Sequence, residues 1–247
     1  VDVLIDPTTL WVLAIVAFAT LVRATFGFGD ALVAMPLLVM VVGLKTATPL
    51  VALIACTMAI TILLGSYRAV KLGAAAKLIA STMVGIPIGL TLLKGVHEAT
   101  MELALAVLLL GFALYQLSNP EGPRLKTDKS SYLFGFVAGV LGGAYNTNGP
   151  PVVIYGSLRR WTPGEFRATL QGYFLLSGLM IVGGHAAVGL WTRQVGQLYL
   201  TVLPVVFAGI WIGNRIHRRL SAKRFAKGVY LLLVAIAVML LAKMLLV

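Results

Sequence analysis

The chain is poor in charge, short of acids and almost without cysteine. Of its 247 residues only 11% are Asp, Glu, Lys or Arg, against roughly a quarter in soluble domains. So few charges cannot cover a water-facing surface of this size, which excludes a soluble enzyme and a disordered chain. The single cysteine, Cys56, lies inside an apolar run, so neither a disulfide framework nor a thiolate metal site is available. Eight acidic residues oppose 20 basic ones, a formal charge of +12. In a soluble protein that excess would suggest nucleic acid as a partner. Here the positives occupy short gaps between apolar runs, where cytoplasmic loops collect Lys and Arg, so nucleic acid is excluded. No cleavable signal peptide is expected, because Asp2 and Asp6 make the start acidic and the first apolar run continues into the body.

What is abundant is apolar sequence: 60% of residues are hydrophobic and the mean hydropathy is +0.97. The runs are long and do not alternate, which predicts membrane helices rather than a β-barrel. Spans are expected over 46–67, 73–93, 97–117, 168–190, 194–214 and 228–247, each near the ~20 residues that a bilayer requires. Ser118–Ser131 is the one polar linker, with Asn119, Pro120, Gly122 and Pro123 breaking any helix. It separates a first membrane repeat (1–117) from a second (132–247), with 118–131 as a cytoplasmic linker.

Two stretches are too long for one crossing. Residues 8–44 and 131–158 would measure ~55 Å and ~42 Å as single helices. The first is interrupted by Thr25-Phe26-Gly27-Phe28-Gly29-Asp30 and then Pro36. The second is interrupted by Gly142 to Pro151, with Asn146, Thr147 and Asn148 at its centre. Glycines and prolines should stop each helix there, giving two short helices joined by a loop at membrane depth. Such backbone survives only where it is buried in protein or lines a cavity.

The halves are related. Gly85-Ile86-Pro87-Ile88-Gly89 recurs as Gly209-Ile210-Trp211-Ile212-Gly213, offset by 124, and the broken stretches match with Gly27 on Gly142 and Pro36 on Pro151, offset by 115. If each broken stretch crossed once, the basic residues would divide 8 to 11, without asymmetry. If each returns to the side it left, 15 of them, including Lys77, Lys129, Arg159, Arg167 and the six from Arg215 to Lys227, share one side. Only Lys45, Lys94, Arg193 and Lys243 remain on the other. The positive-inside rule selects the second arrangement. The expected fold is thus an all-α polytopic membrane protein of two inverted repeats, each a broken stretch of two half-helices plus three transmembrane helices, with both termini outside. Paired discontinuous helices of this kind are a transporter architecture.

At a broken helix, free N–H groups and the helix dipole attract anions. Backbone around Gly27, Gly29 and Gly149, with the neutral donors of Asn146, Thr147 and Asn148, is the candidate anion site; tight helix packing through small residues is the competing explanation, and it suffices for Gly139 and Gly178. Arg167 and Gln171 are second-rank contacts, Arg167 serving equally well as a cytoplasmic anchor. Arg23 and Asp30 are ionisable groups at depth: Asp30 is a candidate carrier of a coupling proton, unless the two neutralise each other across the break as a structural pair. His185, inside a span, reads as packed or wetted rather than as a metal ligand. No metal, cofactor or nucleophile with a base is legible. A channel and a membrane-embedded acyl- or phosphoryl-transfer enzyme are the rival classes, the latter lacking catalytic partners in its loops.

The segment Gly27 to Leu38 resembles the first motif of the TauE/SafE family, the sulfite exporters. Gly142 to Tyr155 resembles its second, and Phe166-Arg167-Ala168-Thr169-Leu170 is similar to the segment after that motif in the family. The Gly149-Pro150-Pro151 element is the more specific part. This resemblance implies a bacterial inner-membrane exporter of sulfite or a small organosulfonate such as sulfoacetate, embedded in lipid, without an organic cofactor, and compatible with a homo-oligomer. Asp30 and the Asn146-Thr147-Asn148 run depart from the more glycine-rich loops of many relatives, so selectivity is expected to differ. Alternating access would rock one half against the other, with the Gly-Ile-x-Ile-Gly helices packed at the moving surface.

Overall fold

The computed structural model describes residues 6–64, 72–118, 124–125, 127–217 and 222–245. Arg68, Lys71, Lys126, Arg218 and Arg219, all counted above as cytoplasmic charges, lie outside the described residues. Ten helices account for nearly all of the described chain: α1 (Pro7–Phe26), α2 (Asp30–Val42), α3 (Leu44–Leu63), α4 (Leu72–Gly95), α5 (Glu98–Leu117), α6 (Ser131–Tyr145), α7 (Gly149–Leu158), α8 (Pro163–Ala187), α9 (Arg193–His217) and α10 (Ala222–Leu245). Six of them, α1, α3, α4, α5, α8 and α9, are long and apolar enough to cross a bilayer. Large apolar side chains such as Trp11, Leu64 and Leu200 point outward, whereas Arg23, Asp30, Asn146, Gln171 and Ser177 are buried. That inside-out distribution suits lipid as the surrounding solvent.

Helix boundaries follow local chemistry. Asp6 caps α1 by accepting from the Thr8 N–H, with Pro7 in the first turn. At the start of α8, Thr162 and Glu165 form a capping box. Both expected breaks are present and each is three residues long, 27–29 and 146–148. Gly27 (φ +87°) and Asn146 (φ 53°) end their helices in the left-handed conformation, which glycine and asparagine adopt most readily. The prolines do not stop helices. Pro36 lies inside α2, and Pro150 and Pro151 occupy the first turn of α7, where no N–H is needed. The breaks therefore correspond at an offset of 119, Gly27 with Asn146 and Asp30 with Gly149, rather than the 115 read from the motifs. The first stretch also divides unevenly: nothing interrupts residues 7–26, so α1 is a full-length helix of 20 residues followed by the 13-residue α2.

The Gly-Ile-x-Ile-Gly segments join one half to the other. Gly85 and Gly89 of α4 lie against Gly139 and Gly143 of α6, and Gly135 lies against Leu78 and Ser81. Gly209 and Gly213 of α9 lie against Thr20 and Ala24 of α1. Thr20 and Ala24 are the positions 119 before Gly139 and Gly143, so the two seams use corresponding residues. Partner positions rise together along both helices, so α4 runs parallel to α6 and α9 parallel to α1. Pairings of α3 with α8 and of α5 with α10 complete the bundle.

One face is marked by charge. Asp128 binds Arg159 at 2.8 Å and Lys77 at 3.6 Å, and Arg159 also donates to the Leu125 carbonyl at 2.8 Å. The stretch α6–α7 thus begins and ends at the same face, where α4 and α8 also start. From there α8 crosses to the opposite face and α9 returns. Since α1 parallels α9 while α6 parallels α4, the two broken stretches run in opposite senses.

Candidate functional site

The breaks meet. Gly29 and Asp30 at the start of α2, and Asn146, Thr147, Asn148 and Gly149 at the start of α7, line one cavity with Arg23, Ala31, Leu32, Ala55, Phe174 and Gly178. The helix α8 holds both. Gln171 donates from Nε2 to the Gly27 carbonyl at 2.5 Å, and Asn148 donates from Nδ2 to Ser177 Oγ at 2.9 Å. Gln171 and Ser177 flank the middle of the 25-residue α8, about 9 Å apart along its axis. The cavity therefore lies beside the middle of α8. Its volume is about 20 Å³, room for about one water.

The two breaks differ in chemistry. At the first, Arg23 in the last turn of α1 donates from Nη1 to Asp30 Oδ2 at 2.9 Å, with both side chains buried. Each charge also complements its helix end, the cation at a C-terminus and the anion at an N-terminus. Arg23 donates from Nη2 to Gln171 Oε1 at 3.0 Å and lies 4.9 Å from the centre of the Phe174 ring. At the second break no charge is present. Thr147 Oγ1 donates to the Tyr145 carbonyl at 3.0 Å, and Pro150 and Pro151 remove two of the four free N–H groups of the α7 N-terminus. Backbone donors are fewer there than expected, so the Asn146 and Asn148 amides supply much of its hydrogen-bonding capacity.

Of the sequence-derived residues, Gly29, Asp30, Arg23, Asn146, Thr147, Asn148 and Gly149 line the cavity together. Gly27, Arg167 and Gln171 stand behind it. Arg167 donates from Nη2 to the Ala24 carbonyl at 3.1 Å and to Asn214 Oδ1 at 2.8 Å, tying α8 to the end of α1 and to α9. His185 is buried on α8 outside the lining set. Sequence reasoning did not single out Phe174 or Ser177: Phe174 shares a face of α8 with Arg167, Gln171 and Gly178 at helical spacing, whereas Ser177 enters only as the partner of Asn148. Among the described residues no group of three or more His, Cys, Asp or Glu side chains is gathered to hold a metal.

Such an arrangement gathers an arginine, two amides and two helix starts, groups that hydrogen-bond small anions. Among known proteins, no curated protein and no solved structure matches the chain. The sequence model described as sulfite exporter TauE/SafE matches residues 12–240, which takes in both breaks, α8 and the two glycine seams. The chain belongs to the sulfite exporter TauE/SafE family of membrane transporters.

Proposed function

We propose that the protein exports a small sulfur oxyanion, sulfite or an organosulfonate such as sulfoacetate, by alternating access across the bacterial inner membrane. The carrying observation is the convergence of both breaks on one cavity beside the middle of α8. In this reading Gly29, Asn146, Thr147, Asn148 and Gly149 contact the anion, while Gly27, Arg167 and Gln171 position the loops. Asp30 and Arg23 are the charge-coupling pair, with the proton as the coupling ion. The halves 1–117 and 132–247 are inverted repeats with both termini outside; the opposite senses of α1 and α6 and the grouping of Lys77 and Arg159 on one face support this. Opening the 20 Å³ cavity requires helix movement, which favours a carrier over a standing pore.

Labelled-sulfite flux in proteoliposomes tests the reading, with sulfate, sulfoacetate and phosphate as competitors. Saturable flux inhibited by sulfoacetate is expected, with KM raised several-fold in Asn146→Ala and Asn148→Ala. Flux that does not saturate would make the protein a channel, and no flux for any sulfur oxyanion would overturn the substrate.

A further inference from the structure

We propose that Arg23 is itself a ligand of the transported oxyanion, and that Asp30 is a built-in anion that fills the seat in the empty carrier and yields it on taking up a proton. This deepens, and rests on, the reading that a sulfur oxyanion crosses at the two breaks.

Three observations carry it. Arg23 lines the cavity and is 2% exposed, yet its Nε–H has no acceptor, while Nη1 and Nη2 are engaged by Asp30 and Gln171. A guanidinium presents its donors as a planar fork suited to oxyanions, and one of the Arg23 donors has no partner in a side chain that lines the cavity. Second, Asp30 occupies the first turn of α2, which is where an anion bound at that helix start would lie. Third, Arg23 and Asp30 are, among the described residues, the only charged ones lining the cavity. An oxyanion added to the intact pair would leave one uncompensated negative charge in a buried site, which is strongly unfavourable.

The neighbours offer no substitute for the Asp30 carboxylate. Cys56 of α3 is within electrostatic reach of Arg23. Tyr230 of α10 borders the next small cavity beside Gly29, its hydroxyl accepting from Gln116. Glu102 of α5 is outside the lining set, and α7 and α8 contribute neutral groups there. The charge balance is then fixed. The empty carrier holds Arg23 cation and Asp30 carboxylate, net zero. The loaded carrier holds Arg23 cation, a monoanion and protonated Asp30, again net zero. One proton, taken from the side open to the cavity, moves with each monoanion, and the cycle is electroneutral. In Asp30→Asn the empty carrier is positive and the loaded one neutral, so the cycle becomes electrogenic.

The experiment compares wild type, Asp30→Asn and the doubly neutral Arg23→Gln/Asp30→Asn in proteoliposomes, with the membrane potential clamped by valinomycin and potassium. Wild-type sulfite flux should change less than about twofold over ~100 mV and rise when the loading side is acidified. Asp30→Asn should retain saturable flux that responds several-fold to potential, as a carried charge requires, and should lose the response to a pH gradient. The double variant should lose at least about tenfold in flux. Potential-driven wild-type flux unchanged in Asp30→Asn would overturn this proposal while leaving the transporter reading intact. Should wild type carry no sulfur oxyanion, melting in detergent decides the Arg23 part: sulfite, sulfate or nitrate should raise the Tm of Asp30→Asn by several degrees and leave that of the double variant unmoved. Equal behaviour of the two variants would overturn it.

Discussion

Gln171 clasps Arg23 to the first break: its Oε1 accepts from Arg23 Nη2 at 3.0 Å while its Nε2 donates to the Gly27 carbonyl at 2.5 Å. One amide on α8 therefore fixes both the cation and the left-handed turn beside it. Gln171→Leu keeps the volume and removes both bonds. Each buried group left unsatisfied costs about 1–3 kcal/mol, so a clear fall in melting temperature of the detergent-solubilised protein is expected, with reduced flux. An unchanged Tm would show that the clasp contributes nothing.

The glycines at the breaks divide into conformational and spatial ones. Gly27 and Gly29 have φ of +87° and +99°, and an added Cβ would stand 3.1 Å from Arg167 Cγ and from Val22 Cγ1 respectively. Alanine at either position should destabilise by about 1–3 kcal/mol. Gly149 has no such backbone, and its Cβ would stand 3.7 Å from the Phe174 ring, an ordinary contact. Gly149→Ala should fold normally and raise KM by adding a methyl beside the cavity. Melting curves and KM values measured together separate the cases; equal destabilisation at Gly29 and Gly149 would sink the distinction.

Glycines of the α4–α6 seam and glycines that face open space should respond to alanine differently. A Cβ on Gly85 would fall on the Phe136 carbonyl oxygen, and one on Gly139 would fall on that of Thr82. Backbone cannot yield as a side chain can, so Gly85→Ala and Gly139→Ala should lose about 1–3 kcal/mol or more. Gly111 and Gly183 face open space, and alanine there should be within about 0.5 kcal/mol of wild type or better. Tm values of the four variants test this. Because α4 is locked to α6 and α9 to α1, the close packing expected between the halves is present, and it ties helices across them.

Much of this was legible in residue types. Gly27, Gly29 and the Asn146-Thr147-Asn148 run mark both breaks, because only such residues end a buried helix cheaply. The register of the breaks was not legible: Pro36 and Pro151 align well in sequence, but a proline inside α2 and one in the first turn of α7 do different things. Gln171 and Arg167 could be placed near the site but not assigned to its back, since their direction depends on how α8 rotates against α1. Ser177 gave no signal by itself, because its partner Asn148 is 29 residues away and meets it only after α7 folds back. The seams were half visible: the four-residue glycine spacing stands in the sequence, whereas the exchange of partners between halves is a property of the fold.

Topology supplies the last test. Asp128, Lys77 and Arg159 are joined by ion pairs, so α4 starts where α6–α7 starts and ends. Lys45, Lys94 and His97 line a different cavity, between the start of α3 and the α4–α5 turn, and a 24-residue α4, about 36 Å long, separates the two groups. With basic residues concentrated on the Lys77 side, that side should be cytoplasmic. In a Cys56→Ala background, cysteines placed at Asp6 or Lys94 should react in intact cells with a membrane-impermeant thiol reagent. Cysteines placed at Lys129 or Arg160 should react only after the membrane is opened. Labelling of Arg160→Cys but not Lys94→Cys in intact cells would reverse the orientation. Reaction at both Lys129 and Lys94 would contradict their placement on opposite faces, and with it the antiparallel course of the two broken stretches on which the inverted arrangement depends.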